Sequence, residues 1–244
     1  MITRVEYGTD PFQFGELDVP ATTGPHPAAI VIHGGFWRSK YGLDYIRPVC
    51  SEFVKSGIAV WNIEYRRIGN PGGGWTGTFE DVAASADHLA TLAAQYELDL
   101  RRIIAIGHSA GGHLAFWLAA GKKFLAGAIS LAGVLDLRRA WELQLSNAVV
   151  VDLLGGTPEE VPDRYDFASP IEHVPIGIPQ RLFHGAKDPS VPLEISERYV
   201  QRAQSRGDDA ELTVLQDSSH FDVVDPRTKE FALVLAAAVA LTRC

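Results

Sequence analysis

The residues best suited to chemistry stand in Ile106-Gly107-His108-Ser109-Ala110-Gly111-Gly112. Within it, Gly107-His108-Ser109-Ala110-Gly111 fits a sharp strand-to-helix turn that presents a serine hydroxyl as a nucleophile. Small residues are required because strand and helix nearly touch there. A helix N-terminus beyond the serine aims N–H groups at developing negative charge. The same pattern occurs by chance where glycines serve only packing, and the strand before and helix after separate the two readings. A second stretch, His33-Gly34-Gly35-Phe36-Trp37, can aim the N–H groups of Gly34 and Gly35 at a carbonyl oxygen, with Ala110 N–H as a further donor. Together they point to acyl transfer.

A nucleophilic serine needs a base, and the base needs an orienting carboxylate. Asp188, in FHGAKDPSVP, and His220, in DSSHFD, each follow an expected strand end and are the candidates. Asp136 is an alternative acid, whereas Asp217 and Asp222 stand too close to His220 in sequence. His33 reads as a residue that orients its loop. His108, His113 and His184 read as packing or hydrogen-bonding residues, and His26, His88 and His173 lie outside the constellation. Phe36, Trp37 and Phe221 are expected at the substrate pocket; Trp75 and Trp141 either join them or fill core.

The elements that must position these residues alternate. An opening hairpin is followed by apolar strands over 28–33, 58–65, 101–109, 125–134, 179–186 and 210–216. Short continuous apolar runs of this kind suit strands covered on both faces. Helical spacing covers 44–56, 78–96, 110–121, 193–207 and the apolar run 231–241, which is too short to span a bilayer. Thr78 with Asp81 suggests an N-cap for the second of these helices. Alternating strands and helices imply a mostly parallel sheet with helices on both faces. Residues 136–176, with prolines at 158, 162, 170 and 175, break the rhythm and read as an insertion after the sixth strand. The Gly-rich stretch 70–75 reads as a loop at the pocket rim.

Composition narrows the partners. The chain has 244 residues, 46% hydrophobic, with a formal net charge of −8. Such a length suits one domain over 1–244. An acidic surface argues against nucleic acid or an anionic membrane as the main partner. Two distant cysteines, Cys50 and Cys244, make neither a disulfide framework nor a zinc site, and with no secretory signal a cytoplasmic location is expected. There is no H-E-x-x-H pattern, P-loop or dinucleotide fingerprint, so neither a metal nor a nucleotide cofactor is expected. A monomer and a homodimer are both compatible with the sequence.

Across nearly its whole length the chain resembles the α/β-hydrolase superfamily. His33-Gly34-Gly35-Phe36-Trp37, Gly107 to Gly112, Asp188 and His220 are similar to the esterase/lipase group related to hormone-sensitive lipase and kynurenine formamidase (arylformamidase). The aromatic pair after His-Gly-Gly is especially like the formamidase pattern, and Glu64-Tyr65-Arg66-Arg67 resembles the group's acidic-Tyr-Arg segment. The resemblance implies an α/β-hydrolase fold with an eight-stranded sheet and a small cap at 136–176. Only 32 residues precede His33, so a lid has to come from that cap. It implies cofactor-free hydrolysis of a small-molecule ester by Ser109, His220 and Asp188, with a formyl amide as the alternative substrate. A non-catalytic binding protein on the same fold is the remaining alternative.

Overall fold

The structure, a computed structural model, describes residues 2–243. The chain runs β1 (Thr3–Glu6), β2 (Phe14–Asp18) and β3 (His26–Ile32). A 3-10 turn over Leu43–Ile46 then leads directly into α1 (Arg47–Lys55). Next come β4 (Ala59–Ile63), α2 (Gly77–Leu92), β5 (Leu98–His108), α3 (Ala110–Gly121) and β6 (Leu125–Leu131). The insertion carries α4 (Leu137–Glu142), α5 (Val149–Leu154) and α6 (Pro162–Ala168). The chain closes with β7 (Gln180–Gly185), α7 (Glu194–Ser205), β8 (Ala210–Leu215) and α8 (Phe231–Leu241). The sheet has eight strands in the order β1-β2-β4-β3-β5-β6-β7-β8. Among the described residues, only the β1–β2 and β2–β4 pairs are antiparallel. This is the α/β-hydrolase fold.

Two apolar layers explain why the central strands read as unbroken hydrophobic runs. Ala28, Ile30 and Ile32 of β3 face the core shared with α2, α3, α7 and the insertion. Ala29 and Val31 face the opposite core, shared with α1 and α8. Ile103 and Ala105 divide from Ile104 and Ile106 in the same period of two along β5. On α8, Phe231, Val234, Ala238 and Leu241 are buried at helical spacing. No helix among the described residues is long and apolar enough to cross a membrane. Cys50 is buried and unpaired, and Cys244 lies outside the described residues.

Two local expectations are corrected. Thr76, not Thr78, precedes α2, and no side-chain cap forms. Asp81 is taken instead by Arg66, which donates to Oδ1 at 2.7 Å and Oδ2 at 2.9 Å. A buried carboxylate pairs with the guanidinium that reaches it in two-pronged geometry rather than with orphan N–H groups. The Gly-rich loop 70–75 does not rim the catalytic cavity. Trp75 packs on Phe79 and on Phe167 of the insertion, with ring centroids 5.8 and 5.3 Å apart, and Trp141 also packs against the core.

Candidate active site

β5 ends at His108 and α3 begins at Ala110, so Ser109 alone makes the turn. Its backbone is left-handed, φ 57° and ψ −121°, a strained state for a residue with a side chain. Ser109 N–H donates to Leu131 O at 2.8 Å, which anchors the turn to the end of β6. The flanking glycines are steric necessities. A Cβ at Gly107 would stand 2.1 Å from Gly111 O, and one at Gly111 2.0 Å from Ile32 O.

His220 and Asp188 come together from the loops after β8 and β7. His220 Nδ1–H donates to Asp188 Oδ2 at 2.6 Å, leaving Nε2 with a lone pair to take a proton. Asp188 Oδ1 accepts from Ser190 N–H and Val191 N–H at 2.8 and 2.9 Å. Burial alone would raise the Asp188 carboxyl, but hydrogen bonds from His184, His220 and the backbone overcome it and hold it well below the usual carboxylate range. His184 supports the acid from the side: its Nε2 lies 3.3 Å from Asp188 Oδ2 and donates to Val191 O at 2.8 Å. The alternative acid, Asp136, is engaged elsewhere, accepting from Arg139 N–H as the α4 N-cap and from Arg198 Nε.

Ser109 and His220 open on one cavity of about 350 Å³ whose other walls are Gly35, Phe36, Tyr41, Tyr45, His108, Ser190 and Phe221. Phe36 and Phe221 are among the cavity residues. Trp37 is not. It is 1% exposed, and its indole N–H donates to His113 Nδ1 at 3.1 Å. His113 Nε2–H in turn donates to Ala168 O at 2.9 Å. Burial lowers the His113 pKa to about 4, so the ring stays neutral and ties the loop to the insertion. A second correction concerns the cap: none of the cavity-lining residues comes from 136–176. The insertion packs beside the site and braces its loop, with Arg38 donating to Ser146 O at 3.0 Å.

The oxyanion loop also departs from expectation. Gly34 N–H is occupied, donating to the Tyr45 hydroxyl at 2.7 Å. Gly35 N–H and Ala110 N–H have no hydrogen-bond partner among the described residues and remain free to receive a developing negative charge. His33 is structural. Its Nε2 meets Glu64 Oε1 at 2.8 Å, and its ring stacks on Tyr65. Arg67 lies 3.0 Å from the same carboxylate oxygen. Burial pushes the Glu64 pKa up, but His33 and Arg67 pull harder, and the net shift is downward.

The sequence reading missed Tyr41, Tyr45 and Ser190 as cavity residues. Tyr45 falls in the 3-10 turn before α1, and no pattern in the sequence fixes the direction of such a turn.

Comparison with known proteins gives the family. Residues 17–202 match the family described as BD-FAE. The chain belongs to the BD-FAE family. It is an α/β-hydrolase of the esterase group. A Bacillus subtilis (strain 168) protein named uncharacterized peptidase YtmA is 30% identical over 75% of this chain and 71% of its own length. An Arabidopsis thaliana protein named probable isoprenylcysteine alpha-carbonyl methylesterase ICMEL1 is 24% identical over 90% of this chain. The match spans 50% of that relative's length. Kynurenine formamidase of Drosophila melanogaster is 22% identical over 84% of this chain and 69% of its own. Among solved structures, a truncated carbohydrate esterase from gut microbiota superposes with a TM-score of 0.84 at 20% identity, covering 99% of this chain and 96% of that one.

Proposed function

We propose that the protein is a serine hydrolase that cleaves small carboxylic esters through an acyl-enzyme. The observation that carries this reading is the 2.6 Å bond between His220 Nδ1 and Asp188 Oδ2 beside a serine on a left-handed turn in the same cavity. In the reaction, His220 Nε2 takes the Ser109 proton as Oγ attacks the carbonyl carbon. Asp188 holds the ring in the tautomer that leaves Nε2 free and stabilises the imidazolium. Gly35 N–H and Ala110 N–H receive the oxyanion, each such donor being worth about 3 kcal/mol of barrier in other hydrolases. His220 then hands the proton to the departing alcohol, and water, activated by the same ring, releases the acid.

A second reading is hydrolysis of an N-formyl aryl amide. The relative named kynurenine formamidase supports it, as does the aromatic wall that Phe36, Tyr41 and Phe221 give the cavity. Trp37, half of the aromatic pair behind that resemblance, is in the core and does not line the cavity. Rates on p-nitrophenyl acetate, p-nitrophenyl octanoate and N-formylkynurenine, with Ser109→Ala as control, separate the readings. The ester reading expects the acetate to win in kcat/KM. A formyl amide that wins by several orders of magnitude replaces it with the amidase reading.

A further inference from the structure

A hollow beside the catalytic cavity has no role in the reaction above. It is an open depression of about 650 Å³ between α1 and residues 221–227, with Tyr45, Pro48, Ser51, Phe221, Val224 and Pro226 among its walls. The charged side chains that also line it close on one another: Lys55 on Glu52 and Arg227 on Asp225, each at 2.7 Å. Asp222 accepts from Ser219 N–H and Oγ–H. What the hollow offers a ligand is carbon surface.

Two rings belong to both spaces. Tyr45 and Phe221 line the hollow and the catalytic cavity alike, edge to face with centroids 6.3 Å apart. Phe221 is 60% exposed, so most of its face is left unused by the fold. The direction of the chemistry says what reaches it. His220 must return its proton to the departing oxygen, so the leaving group lies on the His220 side of Ser109. Phe221 follows His220 in the chain, and its ring centroid is 5.2 Å from the imidazole.

We infer that the hollow between α1 and residues 221–227 is the leaving-group subsite, and that it takes an alcohol with an aromatic body. The inference rests on the serine-hydrolase reading. As Ser109 Oγ bonds to the carbonyl carbon, its proton passes to His220 Nε2. The bond from that carbon to the alcohol oxygen then breaks as the oxygen takes the proton, and the alcohol departs through the hollow. The acyl group stays on Ser109 until water removes it. The leaving group is therefore felt in kcat/KM, which reports acylation, and not in deacylation.

The test uses acetates of ethanol, benzyl alcohol and 2-naphthylmethanol, which share one acyl group. In the wild type, kcat/KM rises from ethyl to benzyl to naphthylmethyl. Ser51→Trp, at an exposed position on α1, lowers the benzyl-to-ethyl ratio of kcat/KM at least tenfold, and Arg227→Trp does the same from the opposite wall. Deacylation rates from burst experiments do not depend on which alcohol left. Damage to the fold lowers all the acetates together and leaves the ratio in place. A flat series in the wild type, or ratios unmoved in both variants while ethyl acetate still turns over, overturns the subsite. No turnover of any acetate by the wild type, with Ser109 unreactive to a fluorophosphonate, overturns the hydrolase reading and this inference with it.

Discussion

The Tyr45 hydroxyl lies 2.9 Å from Nδ1 of His108, which joins the 3-10 turn before α1 to the end of β5. Burial, reinforced by the neighbouring His220, lowers the His108 pKa to about 3, so the ring is neutral at working pH. His108 Nε2 faces the carbonyl oxygen of His220 at 2.9 Å and must carry the proton. Nδ1 therefore accepts from Tyr45 O–H, while the Tyr45 oxygen accepts from Gly34 N–H. One chain of three hydrogen bonds thus runs from Gly34 to His220.

Tyr45→Phe cuts that chain at its centre and strands a buried N–H and a buried ring nitrogen, at about 1–3 kcal/mol for each group left unpaired. The expected result is a loss of kcat of about tenfold or more with a smaller change in KM, together with a lower unfolding temperature. Steady-state kinetics and thermal unfolding on the same preparation check it. An unchanged kcat would mean that the chain only supports the fold.

Asp188→Asn keeps the shape of the acid but places an amide donor against His220 Nδ1, which favours the tautomer whose Nε2 is already protonated. A drop in kcat of about 10⁴-fold is expected by analogy with the same change in other serine hydrolases. Asp136→Asn, which touches only the α4 cap and Arg198, is expected to leave kcat within a few-fold of wild type. The paired assays distinguish the two acids directly.

Phe36→Ala and Trp37→Ala should separate cleanly although the residues are neighbours. Trp37 is core, and its truncation is expected to cost about 3–5 kcal/mol of stability, measured by denaturant unfolding. Phe36 lines the cavity, and its truncation is expected to raise KM for aryl esters with little loss of stability. A Trp37→Ala variant of wild-type stability with altered aryl selectivity would reverse the assignment.

Glu64 sets an acid limit on the fold. Its folded pKa is depressed, so the stability it contributes is fully present above its unfolded value of about 4.3 and is lost as pH falls through the lower folded value. Glu64→Gln removes this contribution and leaves buried Arg67 without its carboxylate, at about 3–5 kcal/mol near neutral pH. The variant should be less stable than wild type at pH 7, and the gap should close as pH falls below about 4. Unfolding free energies measured from pH 3 to 7 check both the size and the direction.

Much of the fold was legible because burial on both sheet faces writes itself as continuous apolar strands, as in β3 and β5. Helix α3 was readable to the residue because Ser109 and the loop after Gly121 bound it sharply. Asp188 and His220 were reachable because each follows a strand end at the same edge of the sheet. The insertion was recognisable as an interruption, but the side on which it packs was not, because that depends on contacts such as Arg38 to Ser146 and His113 to Ala168. Trp37 misled for a related reason. Its residue type suits a substrate wall, and only the partner waiting 76 positions later, His113, turns it inward. Tyr45 left no trace in the sequence, since its role is set by the path of a turn rather than by a periodicity.

The most direct test of the account is fluorophosphonate labelling followed by peptide mapping of the adduct, run on the wild type, Ser109→Ala and His220→Ala. The account predicts one adduct, on Ser109, that vanishes in Ser109→Ala and forms at least about a hundredfold more slowly in His220→Ala, the scale of a lost general base. An adduct elsewhere, or ester hydrolysis that survives undiminished in Ser109→Ala, would contradict it.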